Sequence, residues 1–177
     1  MKLSLVAGMV AAFFGSSVIA LAQQRPPVSA ACGAPDIQFN VKKDAGKPAQ
    51  DEWQLRRKAL VYFIEQMPNV GFISKTVRVG VDGRWIGATK PQMYVSFLLD
   101  PGVHRLCASY EGEAALGEQG PIILRRLNVE PGKTYYMLYH GIFSRDSGEV
   151  AFFDEVDEDE GQLLLQSTDH AASSPKK

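Results

Sequence analysis

The most constraining stretch of this chain runs from Thr76 to Ala88. Thr76-Val77-Arg78-Val79-Gly80-Val81 alternates apolar and polar residues, Asp82-Gly83 interrupts, and Arg84-Trp85-Ile86-Gly87-Ala88 leads away. Alternation with period two places one set of side chains on each face of a strand. Asp-Gly between two such runs is the preferred two-residue hairpin turn, because both central residues must take positive φ. This segment is therefore a β-hairpin.

The same grammar recurs. Met93 to Leu99 runs into Asp100-Pro101-Gly102 and Val103 to Tyr110 runs out; Ile122 to Val129 runs into Glu130-Pro131-Gly132 and Thr134 to Tyr139 runs out. Pro at the first corner with Gly after it presets a type II turn. Ile37-Gln38-Phe39-Asn40-Val41 alternates like a strand, and Val150 to Phe153 reads as a last one. Ala59-Leu60-Val61-Tyr62-Phe63-Ile64 is a continuous apolar run, suited to a central strand covered on both faces. Lys42 to Arg57 reads as a loop, and Gly161 to Leu165 as a short closing helix or strand. About seven or eight short strands, with almost no helical periodicity, predict an all-β chain built as a single antiparallel β-sandwich or barrel. The expected organisation is a signal peptide over 1–22, an extended lead-in over 23–35, a sandwich domain over 36–168 and a flexible tail over 169–177.

The N-terminal expectation rests on three features. Lys2 is basic, Leu3 to Leu21 is apolar, and the small-x-small site Ala20-Leu21-Ala22 precedes the polar Gln23-Gln24-Arg25-Pro26-Pro27. Together these predict a cleavable secretion signal and a periplasmic or secreted product. The uncut alternative is a membrane anchor, since the apolar run is about long enough to span a bilayer. Elsewhere no apolar stretch approaches that length, so no membrane span is expected after cleavage. In an oxidising compartment the two cysteines, Cys32 and Cys107, most simply form one disulfide. Two buried thiols, or a bridge between chains, are the alternatives.

The chain has 19 basic and 20 acidic residues. That near-neutral balance predicts no electrostatic grip on nucleic acid or anionic lipid. Each candidate for chemistry has a simpler rival. Asp154 to Gly161 is densely acidic, but a calcium loop begun at Glu155 puts Glu160 where glycine is required and Gln166 where glutamate is required. A solvated acidic turn opening a short helix fits better. His104, His140 and His170 lack the spacing of a zinc site. No Gly-x-Ser-x-Gly elbow occurs, and Gly132-Lys133-Thr134 lacks the opening glycine of a phosphate loop. No cofactor is expected and no catalytic residue is assigned. Among the aromatic residues, Trp85, Tyr94 and Tyr136 are candidates for a binding surface. The rival is that strand aromatics fill the core or pair across strands.

Four motifs stand in a telling order: Ala59-Leu60-Val61-Tyr62, then Val79-Gly80-Val81-Asp82-Gly83-Arg84-Trp85-Ile86-Gly87, then Leu99 to Leu106, then Val129-Glu130-Pro131-Gly132-Lys133-Thr134-Tyr135-Tyr136. Their order resembles the bacterial domain-of-unknown-function family DUF2846 and, more distantly, PEGA-type surface modules. The resemblance spans about Ala59 to Leu165. It implies an exported sandwich of immunoglobulin-like or transthyretin-like architecture and carries no activity with it. The functional expectation is a non-enzymatic module of the bacterial cell envelope that binds a protein or glycan partner. A small hydrolase with His104 or His140 beside a carboxylate and a hydroxyl, and a purely structural envelope protein, are the alternatives. The oligomeric state is not legible.

Overall fold

In the computed structural model the described residues are 32–46, 51–67, 75–111, 122–144 and 148–177. The expected signal peptide and most of the lead-in lie outside them. In chain order the elements are strand β1 (Phe39–Lys43), helix α1 (Glu52–Arg57), strands β2 (Ala59–Gln66), β3 (Val77–Val81), β4 (Arg84–Thr89), β5 (Met93–Leu99), β6 (Gly102–Tyr110), β7 (Ile122–Val129), β8 (Thr134–Ser144) and β9 (Gly148–Val156), helix α2 (Glu158–Gln166) and strand β10 (Asp169–Pro175).

The strands form two sheets that pack face to face. One has six strands in the order β1-β10-β5-β2-β8-β9, the other four in the order β4-β3-β6-β7. The sandwich expectation holds at that level, with three corrections. There are ten strands among the described residues. The larger sheet is mixed, because β2 runs parallel to β8 and β5 parallel to β10. And residues 169–177 are no loose tail: β10 lies between β1 and β5, with Ala171 buried in the core. Turn chemistry reports only on strands adjacent in sequence, whereas parallel neighbours are joined by long crossovers.

The local expectations are met where a turn dictates them. Asp82 and Gly83 both have positive φ, 48° and 84°, as a two-residue hairpin requires, and β3 pairs antiparallel with β4. Asp157 caps α2, its side chain accepting from the Glu160 N–H at 2.9 Å, while Glu158, Asp159 and Glu160 fill the positive first turn. In the stretch expected as loop, α1 forms instead. It is a short exposed turn of helix with a Glu52–Arg56 ion pair one turn apart.

Alternation decides which side chains enter the core. Val61 and Phe63 of β2, Val77 and Val79 of β3, Leu106 and Ala108 of β6, and Met137 and Tyr139 of β8 are buried between the sheets. Phe63, Tyr139 and Phe153 meet edge to face or tilted, with centroids 5.4 to 6.5 Å apart. Each large apolar chain buried this way contributes roughly 1.5–3 kcal/mol. A polar tie crosses the interior: Thr89 Oγ1 on β4 donates to Glu65 Oε2 on β2 at 2.6 Å.

Candidate functional site

The outer face of the six-stranded sheet carries the residues that alternate with that core. Tyr62 of β2, Tyr136 of β8 and Tyr94 of β5 share it with Ile64 and Leu138. Tyr62 stands directly across from Tyr136 in the parallel β2–β8 pair, and their rings stack at 8° with centroids 5.4 Å apart. On the other side, Tyr94 meets Tyr62 edge to face at 5.8 Å. His170 of β10 extends the row, its ring 5.3 Å from Tyr94. The His170 Nδ1 lies 3.4 Å from the Asp44 carboxylate.

Helix α2 closes one end of this row. The chain leaves β9 beside β8 and re-enters the sheet at β10 beside β5, so the intervening helix crosses the tyrosine face. Leu164 and Leu165 pack onto the face. Gly161 permits the approach: a Cβ there would stand 2.2 Å from Tyr136 Cγ. Tyr136 is therefore buried, whereas Tyr62, Tyr94 and His170 are half-buried. Beside them Gln162 bonds the Tyr136 hydroxyl and donates to Glu158 Oε1 at 3.0 Å. Burial raises the pKa of all three phenols, and for Tyr62 the neighbouring Tyr136 and Tyr94 add to it. The hydroxyls thus stay neutral, able both to donate and to accept.

Of the expected binding surface, the fold brings Tyr94 and Tyr136 together and puts Trp85 elsewhere. Trp85 lies on β4, on the outer face of the other sheet. The Arg78 guanidinium sits 4.4 Å over its ring, and its Nε1–H donates to the Ala34 carbonyl at 2.8 Å. Arg78 also donates to the carbonyls of Pro35 and Ile37 at 2.8 and 2.7 Å. The Cys32–Cys107 disulfide completes this strap, with Cα atoms 5.5 Å apart and both residues fully buried. Trp85 holds the lead-in down; it is not an open platform. Tyr62, the ring joining Tyr94 to Tyr136, had only a weak signal: it sat inside an apolar run read as covered on both faces.

The histidines stand apart from the row, except His170. Both nitrogens of His104 face acceptors, Nδ1 the Asp82 carboxylate and Nε2 the Asp100 carbonyl, each at 2.7 Å. A neutral imidazole donates from one nitrogen only, so this geometry is that of an imidazolium, with neither nitrogen left to activate a hydroxyl. Burial alone would lower the His104 pKa, but the two hydrogen bonds and the Asp82 and Asp100 charges raise it on balance. His140 stacks on Phe152 and meets the Asp154 carboxylate at 3.2 Å, while Arg125 of β7 bonds that carboxylate and the Phe153 carbonyl. Among the described residues no three His, Cys, Asp or Glu side chains converge as a metal site would require.

Comparison with known proteins adds no relative to this geometry: no family model, no curated protein and no solved structure matches the chain.

Proposed function

We propose that this protein is an exported, non-enzymatic sandwich module of the bacterial cell envelope that binds a glycan on the face formed by Tyr62, Tyr94 and His170. The carrying observation is the half-buried aromatic row lying beside polar groups of α2. Sugar rings present an apolar C–H face and a rim of hydroxyls. The tyrosine rings suit the first, and Gln162, Glu158 and the phenolic hydroxyls suit the second. A large aromatic area at one place, already ordered by neighbouring rings and strands, binds with little loss of side-chain freedom. The buried disulfide and the secretion-type N-terminus support export. The turn-motif order resembling DUF2846 supports the envelope setting. No described helix is long and apolar enough to cross a membrane.

The test is binding of the disulfide-bonded protein to a panel of envelope polysaccharides, beside Tyr62→Ala and Tyr94→Ala variants. Each variant is expected to weaken binding about tenfold, close to 1.4 kcal/mol. A partner captured equally well by wild type and both variants would remove this face from the function. Capture of a protein alone, sensitive to both substitutions, would keep the face and replace the glycan.

A further inference from the structure

The outer face of the four-stranded sheet carries a charge arrangement that the tyrosine face does not use. Its β6 and β7 are antiparallel neighbours, and their register sets Arg105 directly opposite Arg126. Both point away from the core, since the residues next to them in the chain, Leu106 and Leu127, are buried in it. Directly opposed side chains have Cβ atoms about 4.5–5.5 Å apart, and like charges so placed destabilise the pairing. Both arginines are exposed. Among the described residues neither guanidinium has an ion-pair partner. Asp82, whose charge acts on Arg105, is already engaged: its carboxylate accepts from His104 Nδ1 at 2.7 Å and from the Arg105 backbone N–H at 2.9 Å.

Two aliphatic side chains bracket this pair. Val103 precedes Arg105 by two positions on β6 and is 51% exposed, and Leu124 precedes Arg126 by two on β7 and is 48% exposed. Spacing by two keeps all four residues on one face. β7 is an edge strand, so the β6–β7 ribbon ends the sheet there. The acidic residues Asp157 to Glu160 gather at α2, on the opposite side of the sandwich. The acidic first turn of α2 and the arginine pair thus lie on different outer faces, although the total charge is nearly balanced.

We propose that this face docks on an anionic phospholipid surface, with Arg105 and Arg126 sharing the lipid phosphates and Val103 and Leu124 entering the interface. A guanidinium presents a planar fork of N–H donors to phosphate oxygens, and an anion between two guanidiniums turns their repulsion into attraction. The aliphatic chains on either side favour a lipid surface over an isolated anion, because burying them in the interface adds apolar area to the charge term. The proposal does not depend on the tyrosine face or on what binds there.

The experiment is cosedimentation of the full, disulfide-bonded protein with phosphatidylcholine vesicles, with and without phosphatidylglycerol, at rising sodium chloride. Binding is expected only with phosphatidylglycerol, weakening as salt rises. The double variant Arg105→Ser with Arg126→Thr is expected to bind roughly tenfold more weakly. Its melting temperature should be unchanged or higher, because the cross-strand repulsion is gone; that readout separates loss of binding from loss of fold. Val103→Asp should weaken binding as well. Absent binding, equal binding to both vesicle types, or a double variant that binds like wild type would overturn the proposal. So would release by inorganic phosphate at an ionic strength where sodium chloride does not release the protein, which would assign the arginines to a soluble anion.

Discussion

Trp85 and Tyr136 sit on opposite outer faces of the sandwich, and each is covered by a piece of chain that crosses its sheet. Over Trp85 the cover is the strap from Cys32 to Ile37, tied by a covalent bond and by arginine hydrogen bonds to carbonyls. Over Tyr136 it is α2, seated by apolar contact and by the missing side chain of Gly161. The first cover is fastened at discrete points and protects an interior disulfide. The second covers only part of an aromatic row and leaves Tyr62 and Tyr94 half-buried. An outer-face aromatic becomes structural when the crossing chain is anchored onto it, and stays half-exposed where the cover stops short.

Removing each anchor should break this contrast, beginning with the strap. Replacing both cysteines by serine is expected to cost about 4 kcal/mol in the chain-entropy model, for a sequence separation of 75 residues. Denaturant unfolding would measure it, and Trp85 should gain exposure to a fluorescence quencher while glycan binding at the tyrosine face persists. If the tyrosine face failed together with the strap, the two covers would form one cooperative unit.

Gly161→Ala probes the other cover. A methyl group driven against Tyr136 should cost roughly 1–3 kcal/mol and alter the near-ultraviolet circular dichroism of the tyrosines, with the Trp85 signal unchanged. Asp157→Ala, which removes the cap of the same helix, should cost about 1 kcal/mol. A larger loss from the cap than from the glycine would mean that α2 is held by its first turn rather than by its contact with the sheet.

The smallest expected effect is the pH dependence of the Asp82–His104 pair, because Asp82 is largely exposed. For Asp82, burial alone would raise the pKa, but hydrogen bonds from the Arg105 N–H and from His104 lower it on balance. Its contribution is present above the unfolded value near 3.8 and lost as pH falls through the folded value. His104 is raised, so its contribution is complete below the unfolded value near 6.5 and lost as pH rises through the folded one. The pair should thus stabilise most between these two limits. The melting temperature of Asp82→Asn should fall closest to that of wild type outside this window, and a constant difference across all pH would disprove the linkage.

Much of the architecture was legible because turn chemistry is local. Asp82-Gly83 specified β3–β4, and the acidic run at Asp157 opened a capped helix, since both depend on residues a few positions apart. The parallel pairing of β2 with β8 was not legible. It joins Leu60–Gln66 to Thr134–His140 with the strands β3 to β7 between them in the chain, and no local pattern encodes a partner that distant. The candidate site suffered the same limit: Tyr94 and Tyr136 were visible as strand aromatics, but their meeting through Tyr62 depends on that register. Trp85 carries the same strand-aromatic signature, and only the strap lying against it sets it apart.

By itself the amino-acid sequence determined which residues turn, which segments extend and which face of each strand is apolar, because steric limits on φ and period-two alternation act within a few residues. Only the tertiary structure decided which aromatics share a face, that the last residues form an inner strand rather than a tail, and that Arg105 stands opposite Arg126. Those outcomes follow from strand order and register, which are set by burying the whole core at once.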